Sequence, residues 1–188
     1  MNTRHPPRRA LRPLDQAALQ ELALRYVGKY ATTRAKLRAY LGRKLRERGW
    51  EGAREPDLEA LANRFAELGY IDDASYALGQ SRSLSARGYG KRLIADKLRL
   101  AGIEVADSVE ANRHADMEAV SAALRFAERR RLGPYAASVV ERPQREKWIA
   151  AMVRAGHSFA IARAIAAMPP GAEIDDNQLS ELVRVTDA

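Results

Sequence analysis

The sequence predicts an all-α protein in which three tandem three-helix repeats pack into an elongated, curved array. Apolar residues recur at three- and four-residue intervals along most of the 188 residues, which is the spacing of one helix face. No segment shows the period-two alternation of a half-buried strand. A segment that contains a glycine occurs three times at nearly constant separation, as in repeat proteins whose units stack on their neighbours.

The internal repeat is defined by three glycines and the residues that precede them. KLRERGW and KLRLAGI place Gly49 and Gly102 53 residues apart, and a weaker copy, AMVRAGH, places Gly156 another 54 residues on. The residues four and eight before each glycine are apolar in every copy, which predicts a helix with a buried seam that ends at a glycine. The seam residues are Leu41, Leu45, Ile94, Leu98, Trp148 and Met152.

Repeat 1 is predicted over residues 15–70. Its first helix runs to Val27 and ends at Gly28, the second follows an N-cap at Thr32 or Thr33, and the third ends at Gly69. Residues 1–14 precede it with four arginines, three prolines and no acidic residue. Such a segment buries too little apolar surface to order itself, so a disordered basic tail is expected.

Repeats 2 and 3 are predicted over residues 71–114 and 115–170. Asp72 has the position of an N-cap, with Ile71 and Tyr76 placed as a hydrophobic staple. We expect the helices of repeat 2 at about 72–86, 89–101 and 105–113, and those of repeat 3 at about 116–131, 143–155 and 158–168. The remaining residues, 171–188, form a C-terminal tail with a weak helical pattern from 175 to 185.

Composition excludes several classes of site. There is no cysteine, and the three histidines are scattered, so disulfides, zinc–thiolate sites and cysteine nucleophiles are excluded and a metal site or cofactor is not expected. No apolar run approaches the length of a membrane span, and the proline-interrupted N-terminus is unlike a secretory signal. We therefore expect a cytoplasmic protein with no membrane partner.

Charge is distributed unevenly within the repeats. The net charge is +8, and residues 25–48 hold nine Lys or Arg and one acid, whereas residues 55–73 hold six acids and one base. Residues 82–99 and 104–118 repeat this contrast. The second helix of a unit is thus basic and the third acidic. The position eleven before each repeated glycine is always basic: Arg38, Lys91 and Arg145.

This pattern predicts a basic binding face that meets phosphates or an acidic protein groove. The alternative is a solvated face balanced by neighbouring acids. Lys44 and Lys97 are expected to pack their stems, and Tyr70, Tyr76 and Tyr89 to pack between helices rather than stack on bases. The predicted face comprises Arg34, Lys36, Arg38, Arg43, Arg46, Arg87, Lys91, Arg92, Arg99, Arg129, Arg130 and Arg145.

No catalytic constellation is visible. Gly88 and Gly90 lack the Gly-Lys-Ser/Thr ending of a phosphate loop, and the adjacent acids Asp72 and Asp73 are explained by helix capping. The serines at 81, 83 and 85 have no histidine close in sequence. A non-enzymatic protein is expected.

Two stretches resemble a known family. LGYIDDASYA at 68–77 followed by SARGYGKRLIADKLRLAGI at 85–103 is similar to the signature of the RecX family, and TTRAKLRAYLGRKLRERGW at 32–50 resembles its first repeat. Repeat 3 fits in outline, at 127–133 and 148–156. The signature positions are Gly69, Tyr70, Asp72, Asp73, Gly88, Tyr89, Gly90 and Gly102.

The resemblance implies a monomeric, cytoplasmic protein of three-helix repeats that lodges in the groove of a RecA filament on DNA. It further implies inhibition of the recombinase, ATPase and co-protease activities of RecA in DNA repair and the SOS response, with DNA contact as a secondary property and no catalytic residues. Two other interpretations stay open. One is a helical-repeat protein that binds nucleic acid without RecA, and the other is an enzyme acting on nucleic acid.

Overall fold

Nine α-helices form most of the chain that the structure, a computed structural model, describes, namely residues 12–174 and residue 179. Two short 3-10 turns, Ala106–Ser108 and Gly133–Tyr135, lie between them. Within these residues β pairing is limited to an isolated bridge between Leu14 and Trp50, so the predicted all-α class is confirmed. The helices are α1 Gln16–Val27, α2 Arg34–Arg48, α3 Leu58–Glu67, α4 Asp73–Ala86, α5 Lys91–Leu100, α6 Val109–Met117, α7 Ala119–Arg130, α8 Arg142–Arg154 and α9 Phe159–Ala167.

The chain divides into two units, Met1–Asp72 and Asp73–Ala188. The first unit contains α1, α2 and α3. Each helix begins at a side-chain cap: Asp15 accepts from the backbone N–H of Ala18, Thr33 from that of Lys36 and Asp57 from that of Ala60, and such caps satisfy otherwise unpaired donors. Apolar faces of the three helices enclose one core of Leu14, Leu19, Ala23, Leu37, Leu41, Leu61, Ala62, Phe65 and Ile71.

The end of the predicted basic tail belongs to this core. Leu14 is fully buried, and its backbone N–H donates to the carbonyl of Gly49 at 3.0 Å while its carbonyl accepts from Glu51 at 2.9 Å. The predicted disorder of residues 1–14 is therefore wrong at Leu14, because this side chain fills the space beside α2 and the backbone finds partners there. Residues 1–11 lie outside the described residues.

The second unit contains α4 to α9 and two cores. The first core, from α4, α5 and α6, consists of Ala77, Leu84, Ile94, Leu98, Ala111 and Ala115. The second, centred on α7, α8 and α9, includes Phe126, Trp148, Met152, Ile161 and Ile165. Each of the three predicted repeats thus encloses a core of its own. The arrangement of the repeats in an extended array stays a prediction.

The repeated glycines end their helices as the sequence predicts. Gly102 and Gly156 have φ values of 72° and 94°, and in both turns the next residue donates back to the seam residue, Ile103 to Leu98 and His157 to Met152. This is the glycine turn that closes helix ends. Of the six seam residues, Leu45 is half-buried and the other five are buried.

Repeat 1 uses its glycine differently. Gly49 has a φ of 81°, and its backbone N–H donates to the carbonyl of Leu45 at 2.8 Å. Because its ψ is 173°, the chain then continues in an extended conformation beside Leu14. This extended stretch forms the bridge between Leu14 and Trp50. The position is therefore equivalent in sequence, while the backbone that follows it differs.

The third helix of repeat 2 departs from its predicted limits. Residues 106–108 form a 3-10 turn, and α6 continues through Met117 rather than ending near Arg113. A single residue, Glu118, with φ −88° and ψ 3°, separates α6 from α7. Because Glu118 is neither Gly nor Pro, the break leaves no signal in the sequence.

The predicted C-terminal helix over 175–185 lies outside the described residues except for one position. Leu179 is helical, 2% exposed and part of the core of repeat 3. An apolar side chain from beyond the repeat thus completes this core.

Candidate partner-binding surface

Five of the predicted binding residues lie on α2. Arg43 and Arg46 are exposed, and Arg34, Lys36 and Arg38 are half-buried. The apolar seam of the same helix, Leu37 and Leu41, is fully buried. Helical periodicity therefore separates the cations from the core and carries Arg43 and Arg46 on the solvent side of repeat 1.

The repeated cations at the position eleven before the glycine make equivalent ion pairs in repeats 1 and 2. Arg38 of α2 pairs with Glu59 of α3, and Lys91 of α5 pairs with Asp116 of α6 at 2.6 Å. Each pair joins the basic second helix to the acidic third helix of its own repeat. The ion pairs give a structural reason for a basic residue eleven positions before the repeated glycine. The partner-binding role of these residues stays a prediction.

In repeat 3 the equivalent residue has a different setting. Arg145 is exposed on α8 and lines a cleft of about 770 Å³ between α8 and α9. Ile149, Val153 and the 58% exposed Phe159 supply its apolar part. The three equivalent basic residues therefore have two settings. Arg38 and Lys91 form ion pairs, whereas Arg145 lines a cleft.

Three further predicted residues converge where repeats 2 and 3 meet. The guanidinium groups of Arg87 and Arg129 lie 5.4 and 5.9 Å from the ring centre of Tyr89. Arg129 also donates to the carbonyl of Arg87, and Arg130 lies 5.9 Å from the ring of Phe126. These contacts hold three exposed cations on aromatic faces, a geometry that favours guanidinium groups.

The predicted residues Arg92 and Arg99 are exposed on α5. Arg99 pairs with Asp96 one turn earlier at 2.8 Å, and the backbone N–H of Arg92 donates to the carbonyl of Gly156 at 3.1 Å. Exposed ion pairs of this kind contribute at most about 1 kcal/mol to the free energy of unfolding. Arg99 can therefore exchange its partner for another anion at little cost.

The signature glycines around Tyr89 form the junction between repeats 2 and 3. Gly90 donates to the carbonyl of Ala155 at 2.9 Å, and a Cβ at Gly90 would lie 2.3 Å from the carbonyl carbon of Gly156. A Cβ at Gly88 would lie 2.9 Å from the backbone nitrogen of Phe126. Two backbones thus approach closely here, and Tyr89 packs against the cores of both repeats, in agreement with the packing role predicted for it.

The other signature residues lie near the start of α4. Gly69 has a φ of 77° in the turn after α3, and Tyr70 is 53% exposed beside Phe65, with 5.6 Å between ring centres. Asp73, the first residue of α4, is buried, and Asp72 is exposed. Like Gly102 at the end of α5, these positions shape turns and helix ends.

His157 is a buried histidine at the same junction. Its Nε2 lies 3.2 Å from the carbonyl oxygen of Gly88, and because a carbonyl only accepts, Nε2–H is the donor. Nδ1 is buried with no hydrogen-bond partner among the described residues. Burial lowers the pKa of His157 to about 4, against the raising effect of the bond to Gly88, so the ring is neutral at physiological pH.

Sequence reasoning missed a cluster of tyrosines in repeat 1. Tyr26 and Tyr40 stack with ring centres 4.2 Å apart and planes at 13°, and Tyr30, 50% exposed, lies 5.4 Å from Tyr26. Lys44, expected to pack its stem, lies 6.0 Å from the Tyr40 ring and 2.6 Å from Glu47. Its hydrogen bond lowers the pKa of Glu47. The concentration of tyrosine between 26 and 40 was the signal that could have revealed the cluster.

One serine–histidine pair resembles part of a catalytic arrangement. Ser81 Oγ lies 3.3 Å from Nδ1 of His114, a pair distant in sequence, but the hydroxyl is fully buried and donates to the carbonyl of Ala111 at 2.7 Å. A nucleophile must reach its substrate, so this pair is structural. Across residues 12–174 and 179, no group of three His, Asp or Glu is placed to hold a metal ion.

No helix in the described part of the chain has both the length and the apolar character needed to cross a bilayer. The features that remain are exposed cations on the second helices, an arginine cluster at a repeat junction and a tyrosine cluster in repeat 1. Together, fold and surface define an all-helical repeat protein.

Comparison with known proteins identifies the family. The chain is 33% identical over 162 residues to the regulatory protein RecX of Myxococcus xanthus (strain DK1622), covering 82% of this chain and 87% of the relative. It is also 37% identical over 109 residues to the regulatory protein RecX of Mycobacterium sp. (strain JLS). This match covers 57% of this chain and 56% of the relative. The chain belongs to the RecX family. No family model matches it.

Solved structures agree at the level of fold. The crystal structure of RecX from Lactobacillus salivarius superimposes with a TM-score of 0.57 at 21% identity, covering 79% of this chain and 92% of that one. A second crystal structure of regulatory protein RecX superimposes with a TM-score of 0.55 at 22% identity, covering 79% of this chain and 72% of that one. The relatives at 33% and 37% identity are named as regulatory proteins, and the first of them confirms the predicted family.

Proposed function

We propose that this chain binds RecA filaments on DNA and inhibits their recombinase, ATPase and co-protease activities. The observation that carries the proposal is membership of a family of regulatory proteins named RecX, with 33% identity over 87% of one relative. Its action belongs to DNA repair and the SOS response, and the protein works in the cytoplasm as a monomer. It acts by binding and performs no catalysis.

The distribution of charge supports a polyanionic partner. Arg46 on α2 and Arg92 and Arg99 on α5 are exposed, while the buried seams of the same helices hold each repeat together. A filament of protein on DNA presents acidic side chains and phosphates at regular intervals. Repeated helices that carry cations on their solvent side suit such a repetitive partner.

The ion pairs within the repeats are compatible with this role. The side chains of Arg38 and Glu59 are 38% and 57% exposed, and those of Lys91 and Asp116 are 49% and 55% exposed. Pairs at such exposure contribute little to stability. An anion of the partner can therefore replace Glu59 or Asp116. Arg38 and Lys91 would then pair within the repeat in the free protein and with the filament in the complex.

The test is a titration of the purified chain into preformed filaments of RecA on single-stranded DNA. ATP hydrolysis and strand exchange should both fall at substoichiometric amounts of the chain. A flat response of both activities across the concentration series would reject the proposal.

Direct binding to nucleic acid without RecA is the second candidate, favoured by the arginine cluster of Arg87, Arg129 and Arg130. Guanidinium groups held on aromatic rings present several donors to phosphate. This candidate requires tight binding to bare DNA near physiological salt. Micromolar or weaker affinity under those conditions would count against it.

A further inference from the structure

We infer that repeat 1 carries a binding site for unpaired nucleobases, formed by Tyr26, Tyr30 and Tyr40 with the cations around them, here called the tyrosine cleft. It rests on the proposed function, in which the chain meets a filament of protein on DNA, and it adds a specific place for DNA contact and a preference for single strands. The site needs only residues of the first unit.

The aromatic part of the tyrosine cleft comes from three different elements. Tyr26 lies on α1, Tyr30 in the following turn and Tyr40 on α2. The stack of Tyr26 on Tyr40 fixes two rings, and Tyr30 stands tilted by 53° against Tyr26 with half of its surface exposed. A ring that is exposed and supported from behind offers a preorganised face for stacking.

Space is available beside these rings. A cleft of about 580 Å³ is lined by all three tyrosines together with Arg25, Lys29, Arg43 and Lys44. A second cleft, about 460 Å³, shares the tyrosines and Arg43 and adds Lys36. Both volumes fall within the range of ligand sites.

The cations are placed to hold a phosphate backbone beside the rings. The ammonium of Lys29 lies 5.4 Å from the ring centre of Tyr30, and the guanidinium of Arg43 lies 5.5 Å from that of Tyr40. No carboxylate lines either cleft in the described part of repeat 1. Two acids outside the clefts pair with cations that line them: Glu21 with Arg25 at 2.5 Å, and Glu47 with Lys44 at 2.6 Å and with Arg43 at 3.7 Å.

This combination selects a single-stranded nucleic acid among polyanions. A double helix presents phosphates but hides the faces of its bases, and an acidic peptide presents charge without flat rings. A single strand supplies both phosphate and stackable bases, and proteins that bind it combine a positive groove with aromatic platforms. The ring of Tyr30 would receive a base while Lys29 and Arg43 contact the flanking phosphates.

Binding of a labelled oligothymidine to the full chain, measured by fluorescence anisotropy without RecA, tests the site. We expect Tyr30→Ala to weaken binding by about tenfold, which corresponds to one base–aromatic stack, and Tyr30→Phe to retain it. Tyr70→Ala is the matched control, because Tyr70 lies in the same repeat, is 53% exposed and lies outside the cleft. It should bind as the unchanged chain does.

Three competitors and one further variant complete the test. An abasic oligonucleotide of equal length and a duplex should each compete poorly, whereas removal of Arg43 should lower the salt slope by about 0.7 for each phosphate that is no longer neutralised. The inference is overturned if Tyr30→Ala binds like Tyr70→Ala, if the abasic strand competes equally, or if polyglutamate displaces the oligonucleotide at the same charge concentration. Because RecA is absent, these outcomes are independent of the filament titration.

Discussion

His157 links the stability of the second unit to pH through a single proton. Its Nε2–H donates to Gly88 across the junction of repeats 2 and 3, and the ring of Phe126 meets it edge-on at 5.5 Å between centres. A second proton would have to enter at the buried Nδ1, which has no acceptor among the described residues. Charging the ring therefore requires the junction to open.

Stability should fall in acid because the folded pKa of His157, about 4, is below its unfolded value of 6.5. A depressed histidine pKa gives full stability above the unfolded value, and this contribution disappears as pH falls from 6.5 toward 4. We expect a decrease of about 2 kcal/mol between pH 7 and pH 5. Urea unfolding at both values measures it.

The control is His157→Gln, whose side-chain amide keeps a donor for Gly88 and does not titrate. Its free energy of unfolding should change less over the same range than that of the unchanged chain. Equal pH dependence of the two proteins would show that His157 does not contribute to the acid sensitivity.

At the scale of elements, the glycine turns fix where helices end and how closely repeats approach. The turns at Gly102 and Gly156 end α5 and α8. The backbone of Gly156 also packs against the start of α5, where Arg92 donates to its carbonyl. The short distances at Gly90 leave no room for a side chain. The junction is therefore specified by the absence of Cβ atoms on both sides.

Alanine substitution separates this packing role from ordinary helix propensity. Gly90→Ala should destabilise the chain by about 2–3 kcal/mol, because its Cβ would press on the backbone of Gly156. Gly79→Ala, at an exposed site inside α4 with nothing within 4 Å of the added Cβ, should stabilise it by about 0.5–1 kcal/mol. Chemical denaturation of both variants measures the difference, and a neutral Gly90→Ala would contradict the assigned junction.

The helices were predictable from sequence where their signals are local. Thr33 and Asp57 cap α2 and α3, and the seam of Ile94 and Leu98 is buried in α5; both features depend on residues within one or two turns. The sequence predicts a helix end near Arg113, and the structure places the break at Glu118, a position that neither Gly nor Pro marks. Burial of Leu14 was missed because its partner Gly49 is distant in sequence.

At the scale of the whole molecule, function depends on surfaces that sequence reveals only in part. The basic second helices were visible as charge runs, but the pairing of Arg38 with Glu59 requires the third helix to fold back beside the second. The tyrosine cleft was hidden for a similar reason. Tyr26 and Tyr40 fit the apolar stripes of two helices, and only tertiary packing stacks them.

Inhibition of RecA ATP hydrolysis by charge variants tests the central claim, that exposed cations of the second helices engage the filament. Arg46→Glu combined with Arg99→Glu changes α2 and α5. Arg64→Glu combined with Arg113→Glu changes the total charge equally, on the acidic helices α3 and α6. Arg99 in the first variant and both Arg64 and Arg113 in the second make an exposed pair with an acid three residues away, so each variant breaks at least one such pair.

The half-inhibitory concentration is the measurement. The second-helix variant should require about tenfold more protein, equivalent to a decrease of about 1.4 kcal/mol in binding free energy, and the third-helix variant should inhibit like the unchanged chain. Equal inhibition by both variants and the unchanged chain would contradict the claim that these cations carry the interaction.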